Sequence, residues 1–147
     1  MGLDPLIRAE LIDVVAGLRD RSETTILLTT HYLDEAERLC DRIAVMHAGR
    51  IVALGTPAEL RAQLGDELLE LQVDRDAGAA LDVLQARGVA DEDAFVVGAT
   101  VIVPLRAAAP DAIAAARETG VPITSVAARP PTLDDVYLRL TGGRLAA

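Results

Sequence analysis

The chain has 147 residues, 51% of them hydrophobic and only 2% aromatic, with a formal net charge of −9 and a pI of about 4.6. That length and apolar fraction exclude a disordered segment and allow one ordinary domain or two small ones, with cores built from Leu, Val, Ile and Ala. Every basic residue is an arginine and none sits in a dense cluster, which argues against a nucleic-acid binder; Cys40, the single cysteine, leaves no intrachain disulfide and fits a reduced setting.

Asp4-Pro5 predicts a helix start, with Asp4 as N-cap and Pro5 in the first turn, where its missing N–H costs nothing. Leu6, Ile7, Leu11, Val14, Val15 and Leu18 recur at helical spacing up to the polar run Arg19-Asp20-Arg21-Ser22. Thr25–Thr30 reads as a short strand with no polar face, as in a sheet covered on both sides. Over residues 33–40, Leu33, Ala36 and Cys40 mark one helix face, with acids early and Arg38 and Arg42 late, as the helix dipole favours. Ile43–His47 and Ile51–Leu54 predict a hairpin turning at Gly49. Thr56-Pro57 starts a further helix that ends at Gly65.

The pattern then changes. Leu68–Val73 predicts a strand, Ala77–Arg87 a helix stopped by Gly88, and Ala94–Val97 with Thr100–Leu105 two strands hinged at Gly98. Pro110–Thr119 predicts a helix and Ile123–Ala127 a last strand. The order β-α-β-β-α-β is that of the ferredoxin-like split unit. After Pro130-Pro131, TLDDVYLRLTGG predicts a terminal helix with a Thr132–Asp135 capping box and a Gly142-Gly143 stop. The expected division is therefore residues 1–65 and residues 66–147.

No stretch approaches the roughly 18 apolar residues of a membrane span, and MGLDPLIRAEL carries neither the basic start nor the apolar block of a signal peptide. Among chemistry-bearing residues, His31 stands at the carboxyl end of the predicted strand, where α/β folds place their ligands. A histidine there can exchange a proton or hydrogen-bond a phosphate oxygen; taken alone, it is better read as a cap on the following helix. His47 reads as a surface residue, Cys40 as a small buried hydrophobe, and Asp34, Glu35 and Glu37 as a solvated first turn. Asp134-Asp135 read as helix-start acids, and Tyr137, Leu138 and Leu140 as either a docking face or packing onto the small domain.

The words around His31 change its reading. TTHYLDEAERLCDRIAVMHAGRIVALGTPAEL closely resembles the switch-histidine (H-loop) region of ABC-transporter ATPase domains, and GLDP at Gly2–Pro5 resembles their D-loop at the family's spacing. Residues beyond 65 resemble the C-terminal extension of exporter ATPases of the daunorubicin-resistance type, which ends in a phrase like PTLDDVYLRLTGG. The resemblance implies an α/β chain: the C-terminal part of a P-loop ATPase core, then a small α+β ferredoxin-like domain and a terminal helix. It implies that His31 touches the γ-phosphate of ATP, and that Gly2, Leu3, Asp4 and Pro5 form the D-loop at the interface between two ATPase copies, with Asp4 coupling the two sites. It further implies ATP and Mg2+ in the complete protein, a second ATPase copy and a membrane permease as partners, no nucleic acid, and a cytoplasmic place on the inner membrane face.

The chain departs from the family in one large respect. It contains no lysine and no G-x-x-x-x-G-K-[ST], so the phosphate cradle is absent; the signature, the Walker B aspartate and the catalytic glutamate are absent too. In the family E-P-T-x precedes G-L-D-P, and Met1 occupies the x. The expectation is a C-terminal part of a longer ATPase, with Met1 an internal methionine and no hydrolysis by this chain alone. A rival is a free-standing regulatory or binding module built on the ferredoxin-like section with a relic ATPase segment; an upstream reading frame carrying a Walker A motif separates the two.

Overall fold

The computed structural model describes residues 4–21, 24–106 and 108–142. α1 (Pro5–Arg21) begins where Asp4 predicts: its Oδ1 accepts the N–H of Leu6 at 2.9 Å, satisfying one of the orphan donors of the first turn. The next expected element is not there. Residues 24–30 belong to no sheet, and Leu27 is 93% exposed. An apolar run becomes a strand only by pairing, and no described strand lies beside this one.

α2 (Leu33–Leu39) buries Ala36 and Leu39. β1 (Ile43–His47) and β2 (Arg50–Gly55) pair antiparallel through a two-residue turn. Ala48 and Gly49 both have positive φ, 48° and 75°, the combination whose twist matches that of the strands it joins. α3 (Pro57–Ala62) opens on a full capping box: Thr56 Oγ1 accepts Glu59 N–H, and the Glu59 carboxylate accepts Thr56 N–H at 2.8 Å.

The remaining elements are β3 (Leu68–Val73), α4 (Ala77–Ala86), β4 (Phe95–Val97), β5 (Thr100–Pro104), α5 (Ala109–Glu118), β6 (Ile123–Arg129) and α6 (Leu133–Thr141). The four strands form one antiparallel sheet in the order β4-β5-β3-β6, the ferredoxin-like arrangement expected from the element order. Alternation along β3 and β5 sends side chains to opposite faces. Leu69, Leu71, Val101 and Val103 face α4 and α5, packing with Ala80, Leu84 and Ala116. Leu68 and Ile102 face the other way and join Leu60 and Leu64 near α3, Leu133 and Val136 of α6, Ala36 of α2, and Ile43 and Val45 of β1.

That second cluster positions the N-terminal elements. α6 lies against the sheet face opposite α4 and α5, and α2, α3 and the hairpin pack around it. Leu138 is buried while Tyr137 and Leu140 are half-buried against the cluster, so of the two readings of these residues the structure takes inward packing. Cys40 is half-buried at the same cluster, and burial raises its thiol pKa above the ordinary value. His47 is exposed on β1. α1 is different: Leu6, Ile7, Leu11 and Val14 are each half exposed or more. It meets α2 through polar contacts, including Arg19 Nη1 to the Leu39 carbonyl at 3.1 Å.

Candidate functional site

His31 sits at a bend between residues 24–30 and α2, with its side chain exposed. It does not cap the helix. The N-cap is Tyr32, whose side chain makes no capping bond. What fixes the bend is the side chains on either side of the histidine. Thr30 Oγ1 accepts the Tyr32 N–H at 3.0 Å, closing a local turn, and donates to Glu35 Oε2 at 3.1 Å. The other Glu35 oxygen accepts a charge-assisted bond from Arg8 Nε, across 27 residues of sequence. The Arg8 guanidinium lies over the Tyr32 ring, 3.1 Å from its centroid, and that ring is 4.0 Å from the His31 ring.

Glu35 therefore departs from the expected solvated first turn. Its side chain is 12% exposed, and the hydrogen bond from Arg8, helped by Thr30, holds the carboxyl below the usual range against the opposing effect of burial. Arg8 is in turn raised, first by its bond to Glu35. Asp34 is exposed and Glu37 pairs with Arg61.

Of the expected D-loop residues, Gly2 and Leu3 lie outside the described residues. Asp4 is exposed, and its carbonyl accepts the N–H of Arg8 at 2.9 Å as Pro5 enters the helix. The Asp4 backbone is thus joined, through Arg8 one turn along α1, to Glu35 and Tyr32 beside His31. Sequence reasoning missed Arg8 and Glu35 as site residues. The available signal was an arginine one turn past Asp4 and an acid of opposite charge inside TTHYLDEAE, but nothing in a sequence pairs positions 27 apart.

The geometry presents one imidazole to solvent from a pinned loop. It offers no cradle for a triphosphate: the chain has no lysine, and among the described residues no group of three or more His, Cys, Asp or Glu is arranged to hold a metal ion. The residues present do not by themselves fit a magnesium site. No described helix is long and apolar enough to cross a membrane.

A family described as "ATP-binding protein DrrA1-3-like, C-terminal domain" matches residues 55–141. The chain belongs to this family. Its similarity extends further, over 96% of the chain, to the daunorubicin resistance ATP-binding protein DrrA3 of Streptomyces coeruleorubidus, at 44% identity. The daunorubicin/doxorubicin resistance ATP-binding protein DrrA of Streptomyces peucetius is 39% identical over the same share of the chain. The Nod factor export ATP-binding protein I of Burkholderia orbicola is 37% identical, again over 96%. The chain spans less than half of these relatives (45%, 44% and 44% of their lengths) and corresponds to their C-terminal part. The resemblance carried by GLDP, TTHYLDEAE and PTLDDVYLRLTGG thus agrees with ATP-binding subunits of the ABC drug-exporter type.

Proposed function

We propose that this chain is the D-loop, switch-histidine and accessory-domain portion of an ATP-binding subunit that couples ATP hydrolysis to export across a membrane. Residues 1–65 belong to the ATPase core and residues 66–147 form the accessory domain with its terminal helix. The observation that carries the reading is His31: an exposed imidazole on a loop braced from both sides, in a sequence whose relatives are named as ATP-binding proteins of export and drug resistance. In this reading His31 supplies one hydrogen bond to the γ-phosphate of ATP as charge shifts on its oxygens, and Asp4 carries information across to a second ATPase copy. A membrane permease is the other partner and holds the subunit at the inner membrane face. Magnesium accompanies ATP in the complete protein, on residues other than those of this chain.

Phosphoryl transfer needs positioning and charge compensation more than covalent help from the protein. One histidine refines such an arrangement and cannot create it, so the isolated chain is expected to show neither ATP turnover nor tight ATP binding. The test uses a longer protein in which this chain follows a complete phosphate-binding core. His31→Ala should lower single-turnover hydrolysis on the order of 10²–10³-fold, the usual cost of one positioned donor, with a much smaller change in ATP affinity. Asp4→Ala should slow turnover through weaker coupling between sites. Normal hydrolysis by His31→Ala removes the assignment.

A further inference from the structure

The bend at His31 is held by contacts that join Thr30 and Glu35, inside the stretch TTHYLDEAE, to Arg8, which lies outside the recognised motifs. Both Glu35 oxygens are engaged, one by Arg8 and one by Thr30, and the Thr30 hydroxyl is used as donor and acceptor at once. The residues flanking His31 are thereby fixed, while the histidine ring itself is left facing solvent against Tyr32. Arg8 is the one member of the set from another element, and its backbone N–H is bonded to the Asp4 carbonyl.

We infer that Arg8, acting through Glu35 and the face of Tyr32, is the positioning residue of the His31 loop and ties it to the turn of α1 that begins at Asp4. That this positioning serves phosphate contact rests on the reading of His31 above; the positioning itself does not. Arginine suits the role for two reasons. Its guanidinium reaches the carboxylate through Nε while its flat face covers the Tyr32 ring. Lysine can replace the charge but not the face. From the Asp4 carbonyl a path of hydrogen bonds runs through Arg8, Glu35 and Thr30 to the Tyr32 N–H, and so ends on the residue whose ring lies beside His31.

A plainer role would be fastening α1 to α2 without regard to His31. A second ion pair between the same helices, Arg38 to Asp13 at 3.9 Å, separates the two ideas because it fastens the helices away from the loop. The chain has two histidines, His31 and His47, and His47 on β1 lies outside this set of contacts. Ring 1H–13C spectra of the 147-residue chain, without nucleotide, therefore report on the loop with a built-in reference.

In the unsubstituted chain the His31 ring signal should be displaced from that of His47 by the adjacent Tyr32 ring. Arg8→Ala and Glu35→Gln should abolish that displacement, Arg8→Lys should reduce it partly, and Arg38→Ala should leave it intact, with His47 unmoved throughout. If Arg8→Ala moves both histidines, the chain has come apart, and Arg8→Lys decides: movement of His31 alone supports the positioning role, and movement of both or neither overturns it. Coincident His31 and His47 signals in the unsubstituted chain, or an effect of Arg38→Ala equal to that of Arg8→Ala, also overturn it. Failure here leaves the turnover test of His31→Ala untouched, and failure of that test leaves this one standing.

Discussion

At the scale of the residue, Asp135 shows how a polar group is buried at little cost. It is 3% exposed, yet Arg129 donates to both of its oxygens at 2.6 and 2.8 Å, and the Thr132 N–H and hydroxyl donate at 2.8 Å each. Arg129 also reaches Glu70 at 2.7 Å, so one guanidinium joins β6 to β3 and to α6. Burial pushes the Asp135 carboxyl up, but the bonds from Arg129 and Thr132 outweigh it and the net direction is down. Asp135→Ala should destabilise the chain by about 2–3 kcal/mol, less than for a fully buried pair because Arg129 remains one-third exposed. Since the folded carboxyl is depressed, its contribution is complete above the unfolded value of about 3.9 and is lost as pH falls through the lower folded value. Urea unfolding of both chains should give a gap at pH 7 that narrows as the pH drops below 4; a gap independent of pH contradicts the account.

At the scale of the element, the helices differ in how their ends are satisfied, and the difference is measurable. α3 has the Thr56–Glu59 capping box, α4 has Asp76 accepting from Gly78 and Ala79, and α6 has Thr132 with Asp135. α5 begins on Ala108, which has the extended N-cap backbone, φ −61° and ψ 137°, but no side chain to accept a bond. Thr56→Ala should cost about 1 kcal/mol, and Ala108→Ser should gain about 0.5–1 kcal/mol by supplying the missing acceptor above Asp111. Thermal unfolding checks both, and equal signs for the two variants would show that caps do not limit these helices. The same comparison explains Thr25–Thr30. Caps are local and form wherever the residues allow, whereas a strand needs a neighbour, and residues 24–30 have none among the described residues.

At the scale of the whole molecule, stability is concentrated in the four-stranded sheet. Leu69, Leu71 and Val101 are fully buried, each burial worth roughly 1.5–3 kcal/mol, and β3 is paired on both edges. At the other extreme, residues 24–30 have no ladder and α1 exposes its apolar stripe. Amide exchange should therefore be slowest over 69–73 and 101–103, intermediate in β1 and β2, whose Ile43 and Val45 reach the second cluster, and fastest over 24–30. Uniform protection along the chain would contradict this ordering.

What the sequence determined by itself was local. The Asp4 and Thr132 caps, the turn at Gly49 and the β-α-β-β-α-β order follow from residue types at short spacings, because the bonds involved close within a few residues. The motifs around His31 were equally legible, being contiguous. Tertiary structure alone decided three things. It left residues 24–30 out of any sheet, where the sequence predicts a strand, it turned α6 inward as the packing between the sheet and α2, and it brought Arg8 to Glu35 beside His31. Each depends on surfaces and charges far apart in the chain, and a pairing of that kind is set by how the elements dock, not by any period or motif along the sequence.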